Sequence, residues 1–240
     1  MPDDAVVVDR HAGWLLGADM VLAPNEHLAA RPVRMFLPSG RGRLRSGLAD
    51  SGERAMRPDD VTEVHGIPVT TPLRTAWDLG MVRWPDEAVS GIDRICALRR
   101  FTKQELLGGL PRFRGRRWVT TLRAIAPLAD PRSESPPESV LRLRCHEAGM
   151  PEMVPQVEVW EDGVLLARLD LADEEHRVAV EYDGVEWHST PEQLAHDRWR
   201  RLMLTEEFGW TIETFTAYDV FGRPRDCFPK LYRLKRQLGL

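Results

Sequence analysis

Lysine is scarce in this chain. Of 33 basic residues only Lys103, Lys230 and Lys235 are lysines, and the rest are arginines. Cysteine is nearly as rare: Cys96, Cys145 and Cys227 are odd in number and scattered. They form neither a disulfide framework nor a metal-ligand spacing, which points to a reducing, cytoplasmic setting. No apolar run approaches the length that crosses a bilayer, about 18 residues or more. The start, Met1-Pro-Asp-Asp, lacks the basic opening and apolar core of a secretory signal. There is no internal repeat, low-complexity tract, phosphate-binding glycine loop or nucleophile–His–Asp arrangement. The net charge of −4 excludes a general nucleic-acid coat protein but not a local basic groove. What is present, 42% hydrophobic and 29% charged residues over 240 positions, is the composition of a globular α/β chain with room for two modest domains.

The most informative stretch runs from Arg168 to His188. Residues 167–171 alternate apolar and polar, and so roughly does the run Arg177–Asp183, with Asp173-Glu-Glu-His176 polar enough to turn between them. The pattern predicts a β-hairpin. Side chains alternate across a strand, so Asp170 shares a face with Ala172, and Glu181 and Asp183 share a face with Ala179. Pairing Ala172 with Arg177 puts all three acids on one side of the sheet. Carboxylates that close repel one another unless one is protonated or a cation sits among them. A hard divalent cation, Mg²⁺ or Mn²⁺, suits oxygen ligands of this kind, and water bound to it can attack a phosphodiester. Asp is disfavoured in strands, yet both strands carry it. Gly184 then breaks the second strand, leaving His188 close to its end.

Helices are expected on both sides of the hairpin. Ser135-Pro-Pro-Glu138 opens one with a cap, an early proline and an acid at capping-box spacing, and Gly149 stops it. Glu138 can therefore serve its own helix cap or an adjacent site. Pro191 to about Phe208 predicts a second helix, with Arg198, Arg200 and Arg201 clustered inside it. Of these, Arg198 and Arg201 are the candidates to hold phosphates. Trp210–Phe215 reads as a strand, and Phe228 onward as an amphipathic closing helix.

Asp170, Glu181-Tyr-Asp-Gly184, His188, Asp197-Arg198, Leu202 and Phe208-Gly-Trp210 occur in an order that resembles the very-short-patch-repair (Vsr-like) endonucleases. The likeness is closer still to bacterial relatives with a Glu-x-Asp-Gly signature. Both belong to the restriction-endonuclease-like PD-(D/E)xK fold. The resemblance covers about residues 131–240. It implies a four-stranded mixed sheet flanked by helices and Mg²⁺- or Mn²⁺-dependent cleavage of DNA, with Asp170 and Glu181 as the metal-binding acids. Glu138, an acid on the first helix, or Asp183 would complete the site, and His188 would assist proton transfer. The superfamily's lysine position, two residues after the second acid, is Asp183 here.

The other half differs in character. Ala126–Pro137 is rich in Pro and Ser and is read as an inter-domain connection. Before it, Val6–Gly17 predicts an opening helix, Pro32–Leu37 a strand, and Gly66–Leu79 a strand followed by a helix capped at Thr71-Pro72. Pro68-Val-Thr-Thr-Pro-Leu-Arg-Thr-Ala-Trp-Asp78 resembles the body of AbiEi-type antitoxin proteins of type IV toxin–antitoxin systems, over about residues 5–125. Such proteins usually begin with a winged helix-turn-helix, for which no segment is evident. Two basic runs, Gly40–Arg45 and Arg112–Trp118, can contact phosphates and bases.

These observations lead to an α/β chain with a smaller α+β domain at 1–130 and a restriction-endonuclease-fold domain at 131–240. The expected activity is a Mg²⁺-dependent DNA endonuclease acting in repair, phage defence or a toxin–antitoxin setting. DNA is the expected ligand and a toxin or defence component the expected protein partner. The alternative is an inactive, antitoxin-like regulatory or DNA- or protein-binding protein. A third reading is a mobile-element or defence accessory acting through protein contacts.

Overall fold

The structure, a computed structural model, describes residues 2, 4–21, 28, 31–184, 191–222 and 226–239. The chain divides into two compact units, Met1–Pro131 and Arg132–Leu240, so the N-terminal unit is the longer.

The first unit contains β1 (Val6–Val7), α1 (Asp9–Leu15), β2 (Val33–Leu37), β3 (Ala49–Glu53), β4 (Val61–Val64), β5 (Ile67–Thr70), α2 (Pro72–Gly80), α3 (Pro85–Cys96), α4 (Lys103–Gly108) and α5 (Val119–Ile125). The strands form a five-stranded mixed sheet in the order β3-β2-β1-β5-β4. The predicted opening helix is therefore split. Three consecutive β-branched valines suit a strand, and Val6–Val7 becomes the short central one before α1 begins at Asp9. His65 and Gly66, both at positive φ, make the tight β4–β5 turn. The Thr71 hydroxyl caps α2 by accepting from the Arg74 N–H at 3.3 Å, with Pro72 in the first turn, as the sequence predicts. Trp77 on α2 donates to the Leu106 carbonyl at 2.9 Å, and a Cβ at Gly109 would sit 1.9 Å from its ring. Only glycine fits there.

The core of this unit carries charge. Arg54 bridges Asp9 and Asp78, and Arg74 bridges Asp78 and Asp60. Burial opposes the ionisation of Asp9, but Arg54, Arg34 and Arg74 outweigh it and hold its carboxyl below the ordinary range. Arg112 pairs with Asp60 and lies over the rings of Trp77 and Phe113. The leading arginine of the second basic run is therefore structural, while Arg114, Arg116 and Arg117 of that run are exposed. In the first run Arg41 pairs with Asp4. The expected connection also starts too early: Ala126–Leu128 is a 3-10 turn whose Ala126 is fully buried.

The second unit contains α6 (Pro136–Glu147), β6 (Val154–Glu161), β7 (Val164–Asp173), β8 (Val178–Asp183), α7 (Pro191–Glu206), β9 (Thr211–Thr216), α8 (Ala217–Phe221) and α9 (Phe228–Gln237). Its sheet is four-stranded and mixed, in the order β6-β7-β8-β9, with only β8 and β9 parallel. Parallel neighbours need a crossover, and α7 lies within it. Val178, Ala179 and Val180 of β8 are wholly buried, as a strand covered on both faces requires. Leu204 of α7 lies in one apolar cluster with Ala172 and Ala179. The same cluster holds Ala167 and Leu169, so α7 packs over β7 residues of both parities, and the strict alternation of faces breaks between Leu169 and Ala172.

If each unit buries its own core, residues 132–240 expressed alone should give a cooperative urea transition and retain mixed α/β circular dichroism. A fragment without a transition would show that the division at Pro131 does not mark a folding unit.

Candidate functional site

The β7–β8 hairpin pairs Leu171 with Val180, Ala172 with Ala179 and Asp173 with Val178. This is two residues away from the register predicted from sequence. The paired register ends at Leu171↔Val180, and beyond it Asp170 meets β8 through its side chain, which accepts the Tyr182 N–H. On the other side, the β6–β7 register places Gln156 between Pro155↔Leu171 and Val157↔Leu169, opposite Asp170. Gln156 on β6, Asp170 on β7 and Glu181 on β8 thus form a row of polar neighbours on adjacent strands.

Glu181 is buried, and two arginines of α7 reach it. Arg200 Nη2 donates to its Oε1 at 3.0 Å and Oε2 at 3.3 Å, and Arg201 Nε donates to Oε2 at 2.9 Å. The geometry follows from spacing. Four residues back along a helix cover about 6 Å and two residues along a strand about 6.6 Å. With Leu204 in the apolar cluster that includes Ala179, and α7 running back against the direction of β8, Arg200 and Arg201 come within reach of Glu181.

Asp170 accepts the Tyr182 N–H on Oδ2 at 2.9 Å. Burial, chiefly, pushes its carboxyl from the ordinary 3.8 up to about 6, with the charges of Glu138 and Glu181 adding to the rise and Arg200 opposing it. Glu138 comes in from the first turn of α6. The Ser135 hydroxyl accepts from the Glu138 N–H at 3.4 Å and donates to Glu138 Oε1 at 2.6 Å. Glu138 Oε2 accepts from the Glu134 N–H at 2.9 Å and from Gln156 Nε2 at 2.8 Å. Glu138 thus completes its helix cap and lies close enough to act electrostatically on Asp170.

Other candidates stand apart. Asp183 is exposed at the end of β8, and Arg198 is exposed on α7. His188 lies outside the described residues. Lys230 is engaged by Asp219 at 2.9 Å and the Thr214 carbonyl at 3.3 Å. Sequence reasoning missed two residues. Gln156 looks like any polar position of an alternating strand, and its positive φ of 57° has no sequence signature. Arg200 was visible within the arginine cluster, but selecting it needs the packing of α7 through Leu204.

The donor set is hard: two acids of one row, a third beside it, and an amide carbonyl. This chemistry matches Mg²⁺ or Mn²⁺ better than a soft or imidazole-seeking metal. Among the described residues no group of three or more His, Cys, Asp and Glu is disposed to hold an ion as it stands. Glu181 is turned into the guanidiniums and Glu138 into its cap.

With two mixed α/β units and a buried acid–arginine site in the second, comparison with known proteins defines the family. The chain belongs to the AbiEi antitoxin C-terminal domain family, whose model matches residues 5–128. Two uncharacterized proteins of Mycobacterium tuberculosis, from strains CDC 1551 and H37Rv, are each 32% identical over 221 residues, 91% of this chain and 79% of their own. A match of that length runs on into the second unit. No solved structure matches. Among the described residues no helix is long and apolar enough to cross a membrane.

The Asp170 carboxyl yields a signed expectation. A folded-state value raised from 3.8 to about 6 means that its contribution to stability is fully present below the ordinary value and is lost as pH rises through about 6. Asp170→Asn keeps an acceptor for the Tyr182 N–H and removes the charge. In metal-free buffer at pH 8 it should be about 1–3 kcal/mol more stable than wild type, with the gap closing toward pH 4. Urea unfolding at the two pH values checks this, and a gap that widens on acidification would contradict it.

Proposed function

We propose that this antitoxin-family protein acts in a toxin–antitoxin setting and that its C-terminal unit is a Vsr-like, restriction-endonuclease-type nuclease hydrolysing DNA phosphodiesters. The observation that carries the reading is the juxtaposition of Asp170 and Glu181 across neighbouring strands, bordered by Glu138. Acids placed so close inside a fold are costly without a cation, and sites of this kind are where function is sought. Asp170 and Glu181 would hold Mg²⁺ or Mn²⁺, which supplies positive charge to the scissile phosphate and a nucleophilic water. Asp170 is oriented by the Tyr182 N–H on one oxygen. Glu138 and Gln156 fix each other beside it. His188 is the proposed proton-transfer group in place of the absent lysine, and Arg198 and Arg201 the proposed DNA contacts. A toxin is the proposed protein partner.

A second reading is an inactive regulator built on the same fold. It is favoured by the pairing of both Glu181 oxygens with arginine and by Asp183 in the lysine position.

The test is incubation with supercoiled, nicked, mismatched and single-stranded DNA, with and without Mg²⁺ or Mn²⁺. The nuclease reading expects metal-dependent cleavage of at least one form, and a loss of about 100-fold or more in Asp170→Ala, the scale of removing one charge-stabilising group from an active site. Metal binding without cleavage of any form would select the inactive regulator.

A further inference from the structure

Glu181 has a side chain only 6% exposed, yet the arginines that neutralise it are not sealed in: Arg200 is 19% and Arg201 33% exposed. Their bonds to Glu181 use one nitrogen each, Nη2 of Arg200 and Nε of Arg201. Each planar guanidinium carries five donors in a fixed fork that matches a phosphate as well as a carboxylate. The pair therefore stands between a buried acid and solvent with donor capacity to spare.

Charge limits what can bind here. A divalent cation on Glu181 would face two guanidiniums at contact distance, so binding of the cation alone is opposed. A phosphate drawing the arginines away would leave Glu181 buried without its partners, which is strongly disfavoured. Only simultaneous arrival keeps every charge paired: the arginines pass to the phosphate as the cation passes to Glu181 and Asp170.

We propose that Arg200 and Arg201 are the phosphodiester-binding pair of this site, and that they exchange Glu181 for a DNA backbone phosphate so that nucleic acid and divalent cation bind with positive linkage. The proposal rests on the metal-site reading above and adds to it the identity of Arg200 and the regulation of cation binding. In the absence of DNA the arginines act as the counter-charge of Glu181. The cation enters a charge-compatible site once DNA has claimed them.

The test uses the full chain, a short fluorescently labelled DNA duplex and Ca²⁺ as a hard-cation probe, at constant ionic strength. Ca²⁺ should tighten duplex binding to wild type by about tenfold, whereas simple screening would weaken it. Glu181→Gln releases the arginines. Once shown to be folded by circular dichroism, it should bind duplex without Ca²⁺ about as tightly as wild type does with it, and should gain nothing further from Ca²⁺. Arg200→Gln should do the reverse in both respects, with calorimetric Ca²⁺ affinity rising in the absence of DNA and duplex affinity falling. Duplex affinity unchanged or lowered by Glu181→Gln, with wild type still binding Ca²⁺, would overturn the arginine assignment alone. Absence of Ca²⁺ binding in wild type and Arg200→Gln, with or without duplex, would overturn the metal reading and the linkage with it.

Discussion

A carboxylate in the interior of a strand buried on both faces is the constraint on which the C-terminal unit depends. Glu181 cannot stay ionised there without a counter-charge. The helix that crosses from β8 to β9 supplies it, because Leu204, buried in the cluster under α7, holds the helix where Arg200 and Arg201 meet Glu181. Packing and electrostatics are therefore set by one placement. A shift of α7 along the sheet would expose Leu204 and strip Glu181 together. Asp170 and Glu138 then stand beside Glu181 within a framework that is already rigid. Gln156 joins β6 to it through Glu138.

The N-terminal unit follows the same economy with different residues. Asp60 serves Arg74 and Arg112, while Arg54 serves Asp9 and Asp78. These acids and arginines tie α1 and α2 to the sheet margins, and Arg112 closes over Trp77 and Phe113. In a chain with so little lysine, arginine carries nearly all of the cationic work. Its fork can satisfy two carboxylates at once, as Arg54 does here, and it stacks on rings. The family's matching segment, residues 5–128, contains the whole of this network.

Much of the architecture was legible in the sequence because its signals are local. The Thr71-Pro72 and Ser135-Pro136 starts, the α9 amphipathy and the β9 alternation each depend on a few neighbouring residues. The nearness of Asp170 and Glu181 was legible even though the hairpin register was two residues off, because both acids fall in neighbouring strands of one short hairpin. What was not legible depends on distant packing. The opening valines merged with α1 into one apparent helix, because nothing local says that Val6–Val7 will pair with β2 and β5. Arg112 reads as part of a basic loop until Asp60, 52 residues away, is found beneath it. Arg200 is distinguished from Arg198 only by which side of α7 faces the sheet.

The account holds that the acid row is a cation site kept closed by arginine. Crystals grown with Mn²⁺ and a short DNA duplex, with the metal located by anomalous scattering, test it most directly. The expected result is one peak coordinated by Asp170 and Glu181 at about 2.0–2.4 Å, with Arg200 and Arg201 moved onto a backbone phosphate. A fully bound duplex with no metal peak at the row, and Arg200 and Arg201 still paired to Glu181, would contradict it.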